Sequence, residues 1–258
     1  MTTLEAPAGA AVGISDLSLR YGERPVLDGV ALDVRPGEIV VIVGASGCGK
    51  STLLRAVAGL LPVHSGALRV GGRPVAGTDA DRALVFQDDA LLPWLTVARN
   101  VELPLALRGV RRSERRERAA DWLARVGLAE HAQRLPKELS GGMRQRVQLA
   151  RTLVAAPGLV LMDEPFGALD AQTRAAMQDL LLEVRTARPA TVLFVTHDVD
   201  EAVRLGDRVV VLGGSGALGG SGVVDEITIA EPRSGAPQDA ARARVLAALT
   251  DPTRRGGS

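Results

Sequence analysis

The chain has 258 residues, 46% of them hydrophobic and 24% charged, with a formal net charge of +1. This balance describes a globular protein with one large domain or two small ones and excludes a disordered or fibrous chain. A charge so near zero, with no basic block standing apart from predicted helices, leaves no electrostatic footprint for nucleic acid, which is not an expected partner.

The first residues, MTTLEAPAGAAVGIS, have no basic n-region and no sustained apolar core, so no signal peptide is expected, and no run of about eighteen uncharged apolar residues follows. Alternation then sets in. Leu17, Leu19 and Tyr21 fall on one side of a strand and Val30, Leu32 and Val34 on one side of the next, with Gly22 and Pro36-Gly37 as turns; Leu68 and Val70 continue the pattern later. An antiparallel sheet with one solvated face is predicted.

Ile39 to Val43 is an unbroken apolar run, mostly β-branched, that reads as a strand buried on both faces. It leads into GASGCGKST, Gly44 to Thr52, where Gly44, Gly49, Lys50 and Ser51 fit the G-x-x-x-x-G-K-[ST] phosphate loop in its strand–loop–helix setting. Glycines let backbone N–H groups crowd a phosphate, and the following helix adds its partial positive charge. Lys50 has the reach for β- and γ-phosphates and Ser51 the hydroxyl for Mg²⁺. Lys50 is also one of only two lysines among 31 basic residues, so it stands against the arginine bias of the chain. The single cysteine, Cys48, lies in this loop, has no partner for an internal disulfide and suits a reducing compartment.

Thr96 to Ala156 carries mainly helical signals. Ala119, Trp122, Leu123 and Val126 recur at helical spacing, and the charges from Arg111 to Arg118 take the other face. Leu159 to Met162, Thr191 to Val195 and Val209 to Leu212 are continuous apolar runs separated by helical patterns, as a parallel sheet covered by helices requires. Gly213 to Gly222 has the composition of a flexible connector, and the ends, 1–11 and 250–258, are expected to be flexible.

A phosphate loop alone indicates only a nucleotide. The chain adds LSGGM at Leu139 to Met143, LVLMDEP at Leu159 to Pro165, GALD at Gly167 to Asp170 and Thr196-His197, in that order. This set resembles the ATP-binding subunit of ABC transporters, from Ile14 to about Leu249. The resemblance implies an α/β P-loop NTPase core with a mainly parallel sheet, an N-terminal antiparallel β subdomain and an inserted α-helical subdomain at about 90–157, all within one domain at 12–249.

It also implies ATP and Mg²⁺ as cofactors. Tyr21 would stack on adenine, and Gly44, Ala45, Ser46, Gly47, Cys48, Gly49, Lys50, Ser51 and Thr52 would hold the triphosphate. Ser51, Gln87 and Asp163 would serve Mg²⁺, Glu164 would be the general base, and His197 would contact the γ-phosphate. Ser140, Gly141 and Gly142 would open a helix as a second anion site, closing on the ATP of a second copy in a head-to-tail homodimer. Met143 stands where the family more often has Gln.

The implied partners are membrane permease subunits and, indirectly, an extracytoplasmic solute-binding protein, with the chain peripheral on the cytoplasmic side of the membrane. VFQDDALLPWLTVARNVELPL, Val85 to Leu105, with DEPFGALDAQTR, resembles the nitrate, sulfonate and taurine importer group. Another solute, an exporter, and a non-transport ABC ATPase of DNA repair or translation are the alternatives. A kinase or GTPase would not need LSGG, and a GTPase would want the N-K-x-D that this chain lacks.

Overall fold

The structure, a computed structural model, describes residues 9–88, 90–187, 189–214, 219–230 and 238–250. Most of both ends expected to be flexible therefore lies outside the described residues. At the N-terminal side the chain is already held at Ala10, whose N–H donates to Gly158 O at 3.0 Å.

β1 (Val12–Tyr21) and β2 (Arg24–Val34) form a hairpin, and β4 (Ser65–Val70) and β5 (Arg73–Pro74) extend it into an antiparallel sheet of order β2-β1-β4-β5. In β2, Val30, Leu32 and Val34 are buried and Ala31 and Asp33 exposed, as one solvated face requires. β1 departs from simple alternation. Val12 and Ile14 share the buried side with Leu17 and Leu19 because a bulge intervenes, with Asp16 at φ 49° and a register shift between Ile14 and Leu17.

The second sheet has the order β10-β9-β3-β8-β7-β6, formed by β3 (Ile39–Gly44), β6 (Arg82–Val85), β7 (Leu159–Asp163), β8 (Thr191–Val195), β9 (Arg208–Gly213) and β10 (Gly222–Thr228). All pairs are parallel except β9 with β10. The unbroken apolar runs are explained by what covers each face. Ile39, Val41 and Val43 join Val160, Met162 and Phe194 in one core, while Val40 and Ile42 join Leu161, Leu193 and Val195 in the other.

The second core lies against the antiparallel sheet and α1 (Lys50–Val57). The first core takes the buried faces of α2 (Val97–Leu107), α3 (Arg112–Arg125), α4 (Gly141–Leu153), α5 (Ala171–Ala187), α6 (Val199–Leu205) and α7 (Asp239–Thr250). The fold is α/β. None of the described helices is long and apolar enough to cross a membrane.

The Gly-rich stretch 213–222 is not a free connector at its described ends; residues 215–218 lie outside the described residues. Ser221 N–H donates to Val26 O (3.0 Å) and Ser221 O accepts from Asp28 N–H (2.9 Å), which lashes the chain to β2. Close approach is what the glycine serves here. A Cβ on Gly220 would meet the carbonyl carbon of Leu27 at 2.8 Å.

Candidate functional site

Three adjacent parallel strands, β3, β8 and β7, end on the same edge of the sheet, and each hands its chemistry-bearing residues to that edge. β3 runs into the phosphate loop, β7 ends at Asp163 followed by Glu164, and β8 is followed by Thr196 and His197. Ligands of open α/β sheets bind outside the carboxyl ends of their strands. A cleft of about 900 Å³ opens there, lined by Gly44, Ser46, Gly47, Gly49, Lys50, Ser51 and Thr52 together with Tyr21, Gln87, Glu164 and His197.

The loop has its shape because glycine stands where a side chain has no room. Gly49 caps α1 at φ 95°, and a Cβ there would meet Leu27 Cδ2 at 2.6 Å; one on Gly44 would collide with Leu212 O and Cys48 Sγ. Lys50 is buried, with Nζ donating to Gly44 O (2.9 Å) and Ala45 O (3.0 Å). Cys48 is buried too, and burial pushes its thiol up, so it is a packing residue of the loop and not a thiolate.

Ser51 Oγ donates to Asp163 Oδ1 at 3.0 Å. Asp163 is 6% exposed, and burial raises its carboxyl above the ordinary range, against the opposing hydrogen bond from Ser51. A buried carboxylate beside a hydroxyl, at the mouth of a phosphate-sized loop, fits Mg²⁺, which is commonly held by one or two carboxylates plus substrate phosphates. No cluster of three or more His, Cys, Asp or Glu that could hold a metal ion occurs among the described residues.

Glu164 adopts φ 47°, rare for a residue with a Cβ. Its N–H donates to Val195 O (3.0 Å) and its carbonyl accepts from Gly167 N–H (3.2 Å), so the surrounding turns hold it in that conformation. His197 Nδ1 lies 3.3 Å from Glu164 Oε2, and the imidazole is 70% exposed toward the cleft while the carboxylate is largely covered.

Other expected residues fall differently. Tyr21 lies on the cleft and is 50% exposed. Gln87 reaches the cleft from the loop after β6, where Gln148 of α4 donates to the carbonyls on either side of it, Phe86 O (3.1 Å) and Asp88 O (3.2 Å). Ser140, Gly141 and Gly142 do not line the cleft. Ser140 is the exposed N-cap of α4 and its hydroxyl accepts from Met143 N–H (3.3 Å); Met143 packs its side chain on the larger core.

The cleft also takes Arg24, Pro25 and Val26 from β2, and Gly219 and Ser221, none of which the sequence reading selected. For Arg24 a signal existed. The two-residue turn Gly22-Glu23 pairs Tyr21 with Arg24 in register, so whatever Tyr21 faces, Arg24 borders. For Ser221 there was none, because its place depends on a contact with β2 almost two hundred residues earlier.

The protein-family model described as ABC transporter matches residues 27–167. An ATP-binding protein of Brucella abortus is 50% identical over 201 residues, covering 78% of this chain and 77% of that protein. The taurine import ATP-binding protein TauB of Chromobacterium violaceum is 53% identical over 205 residues, covering 79% and 78%. Among solved structures, the dimeric post-hydrolysis state of the ATP-binding cassette MJ0796 bound to ADP and Pi superposes with a TM-score of 0.75 at 33% identity, covering 85% of this chain and 99% of that one.

Proposed function

The chain belongs to the ABC transporter family and is an ATPase that uses ATP and Mg²⁺, and on that premise we propose that it powers import of taurine or a related sulfonate through membrane permease subunits. It does so as a homodimer, peripheral on the cytoplasmic side of the membrane, supplied by an extracytoplasmic solute-binding protein. The likeness to taurine import ATP-binding proteins supports the solute. The observation that carries the catalytic reading is the convergence of Lys50, Ser51, Asp163, Glu164 and His197 at the ends of three adjacent strands.

The same reading gives each residue a role, which its position supports. Tyr21 stacks on the adenine, and the amides of Gly44 to Thr52 with the Lys50 ammonium hold the phosphates, Lys50 exchanging its loop carbonyls for phosphate oxygens. Ser51, Asp163 and Gln87 hold Mg²⁺, which when bound neutralises charge on the phosphates. Glu164, largely covered and kept in an unusual backbone conformation, takes the proton of the attacking water. His197, with Nδ1 3.3 Å from Glu164 Oε2, presents its exposed ring to the γ-phosphate.

Glu164→Gln tests this. ATP binding should persist while phosphate release falls by about 10²–10⁴-fold, the usual contribution of a general base. Cells lacking the chain should fail to grow on taurine as sole sulfur source, yet grow on sulfate, and E164Q should not rescue them. Near-normal phosphate release would move the base elsewhere; growth on taurine without the chain would remove the solute assignment.

A further inference from the structure

Behind the catalytic pair lies a buried carboxyl that the reading above does not use. Glu201, in the first turn of α6, is 7% exposed. Buried Glu102 has Arg115 at 3.2 Å as a charged partner; Glu201 instead meets neutral donors, Gln178 Nε2 of α5 at 2.9 Å and the hydroxyl of Thr196. It borders a void of about 50 Å³ whose other walls include Glu164, Gly167, His197 and Asp198.

Burying a carboxylate costs stability that an apolar side chain of the same volume would not, so its presence calls for a geometric reason. The hydrogen bonds supply one. Thr196 Oγ1 donates a hydrogen bond to Glu201 and accepts one from Asp198 N–H at 3.0 Å, bracketing His197 between two bonded residues. Asp198 Oδ1 in turn accepts from the N–H groups of Asp200 (2.9 Å) and Glu201 (3.1 Å). One helical turn before Gln178, Arg174 donates to Leu169 O (3.2 Å) and stands 3.7 Å from Asp198. α5 therefore reaches the His197 turn through Arg174 at Asp198 and, by way of Glu201, through Gln178.

We propose that Glu201 is a positioning residue for His197. Its carboxylate, anchored by Gln178, holds the Thr196 hydroxyl and so fixes the turn from which His197 reaches Glu164. The inference rests on the role given to His197 above, and Glu201 acts only through that imidazole.

The experiment uses the purified chain, with phosphate release, the KM for ATP and thermal melts as readouts, on Glu201→Gln, Thr196→Val, Thr196→Ser, His197→Ala and the double variant H197A/E201Q. Gln keeps the shape of Glu201 but turns an NH₂ toward the Thr196 hydroxyl, which then loses its acceptor. E201Q and T196V should each lower kcat by about tenfold with KM for ATP within about twofold, the size expected for one hydrogen bond that orients a reacting group. T196S, which keeps the hydroxyl, should recover most of the rate. The double variant should be no slower than H197A alone, because two residues acting through one imidazole are not additive.

Multiplicative losses in the double variant overturn the inference. So do wild-type rates in E201Q and T196V, or losses that follow a raised KM and a lowered melting temperature. A slow H197A with a normal E201Q defeats the Glu201 inference alone, whereas a normal H197A removes the role of His197 and this inference with it.

Discussion

Glu201 has a thermodynamic signature that follows from its surroundings. Burial pushes its carboxyl up, the hydrogen bonds from Thr196 and Gln178 pull it back, and the Asp198 charge adds to the rise while the Arg174 charge opposes it; Glu164 and His197 face it across the void. The raised value belongs to the folded state. Between the ordinary carboxyl value and the raised one, the folded chain holds a proton that the unfolded chain has released, so stability falls as pH rises through that window. This contribution is complete below the ordinary carboxyl range and gone above the raised value. E201Q removes the titration, so its melting temperature relative to wild type should be highest at mildly alkaline pH and decline as the pH is lowered through the window. A difference independent of pH would show that Glu201 does not titrate there. Nothing in the sequence announces this residue, since Gln178 and Thr196 reach it only after α5 and β8 have packed. Lys50, Ser51 and Asp163 were legible for the opposite reason. Their geometry is set by a short loop or by the end of a strand, so residue type and spacing carry it.

At the scale of elements, burial on both faces made β3, β7 and β8 readable as strands, and helical spacing exposed the inner face of α3, where Ala119 and Leu123 are buried and Trp122 half-buried, with buried Val126 just past the helix end. The bulge in β1 was not readable, because it changes which residues share a face without changing their composition. The loop before α2 shows how an element can be ordered and still present a large apolar side chain. Asn100, fully buried, accepts from Leu92 N–H (2.9 Å) and donates to Leu92 O, Leu95 O and Thr96 O (3.1 Å each). Leu91 is buried beneath this turn, while Trp94 stands 72% exposed. The division of labour is testable with two variants. Asn100→Ala should lower stability by about 1–3 kcal/mol, because it strands buried backbone groups. Trp94→Ala should leave the melt unchanged yet weaken association with the permease by about 2 kcal/mol or more, as truncation of an aromatic anchor does. Co-purification of the complex in detergent, beside a melt of the isolated subunit, separates the two. A large drop in melting temperature for W94A would make Trp94 a fold residue, and unchanged co-purification would take it out of the interface.

For the molecule as a whole, the cleft in one chain lacks the anion-binding helix end that the motif set includes. Ser140 is exposed at the start of α4 and does not border the cleft that contains Lys50, although α4 reaches that cleft indirectly by clamping the Gln87 loop through Gln148. Ser140 is the exposed N-cap of the 13-residue α4, and in the proposed homodimer a two-fold partner would bring its phosphates to that helix end. If each active site joins Lys50 of one chain to Ser140 of the other, Ser140→Arg and Lys50→Ala inactivate a homodimer by different halves of the same site. In a mixed dimer both defects fall together in one site, and the other keeps an intact Lys50 and an intact Ser140. At equal mixing half the dimers are mixed and half of their sites are whole, so hydrolysis should return to about one quarter of the wild-type rate if sites act independently. A site completed within one chain would give no recovery at any ratio. Phosphate release across a mixing series, with dimer formation followed by light scattering, decides between the two arrangements.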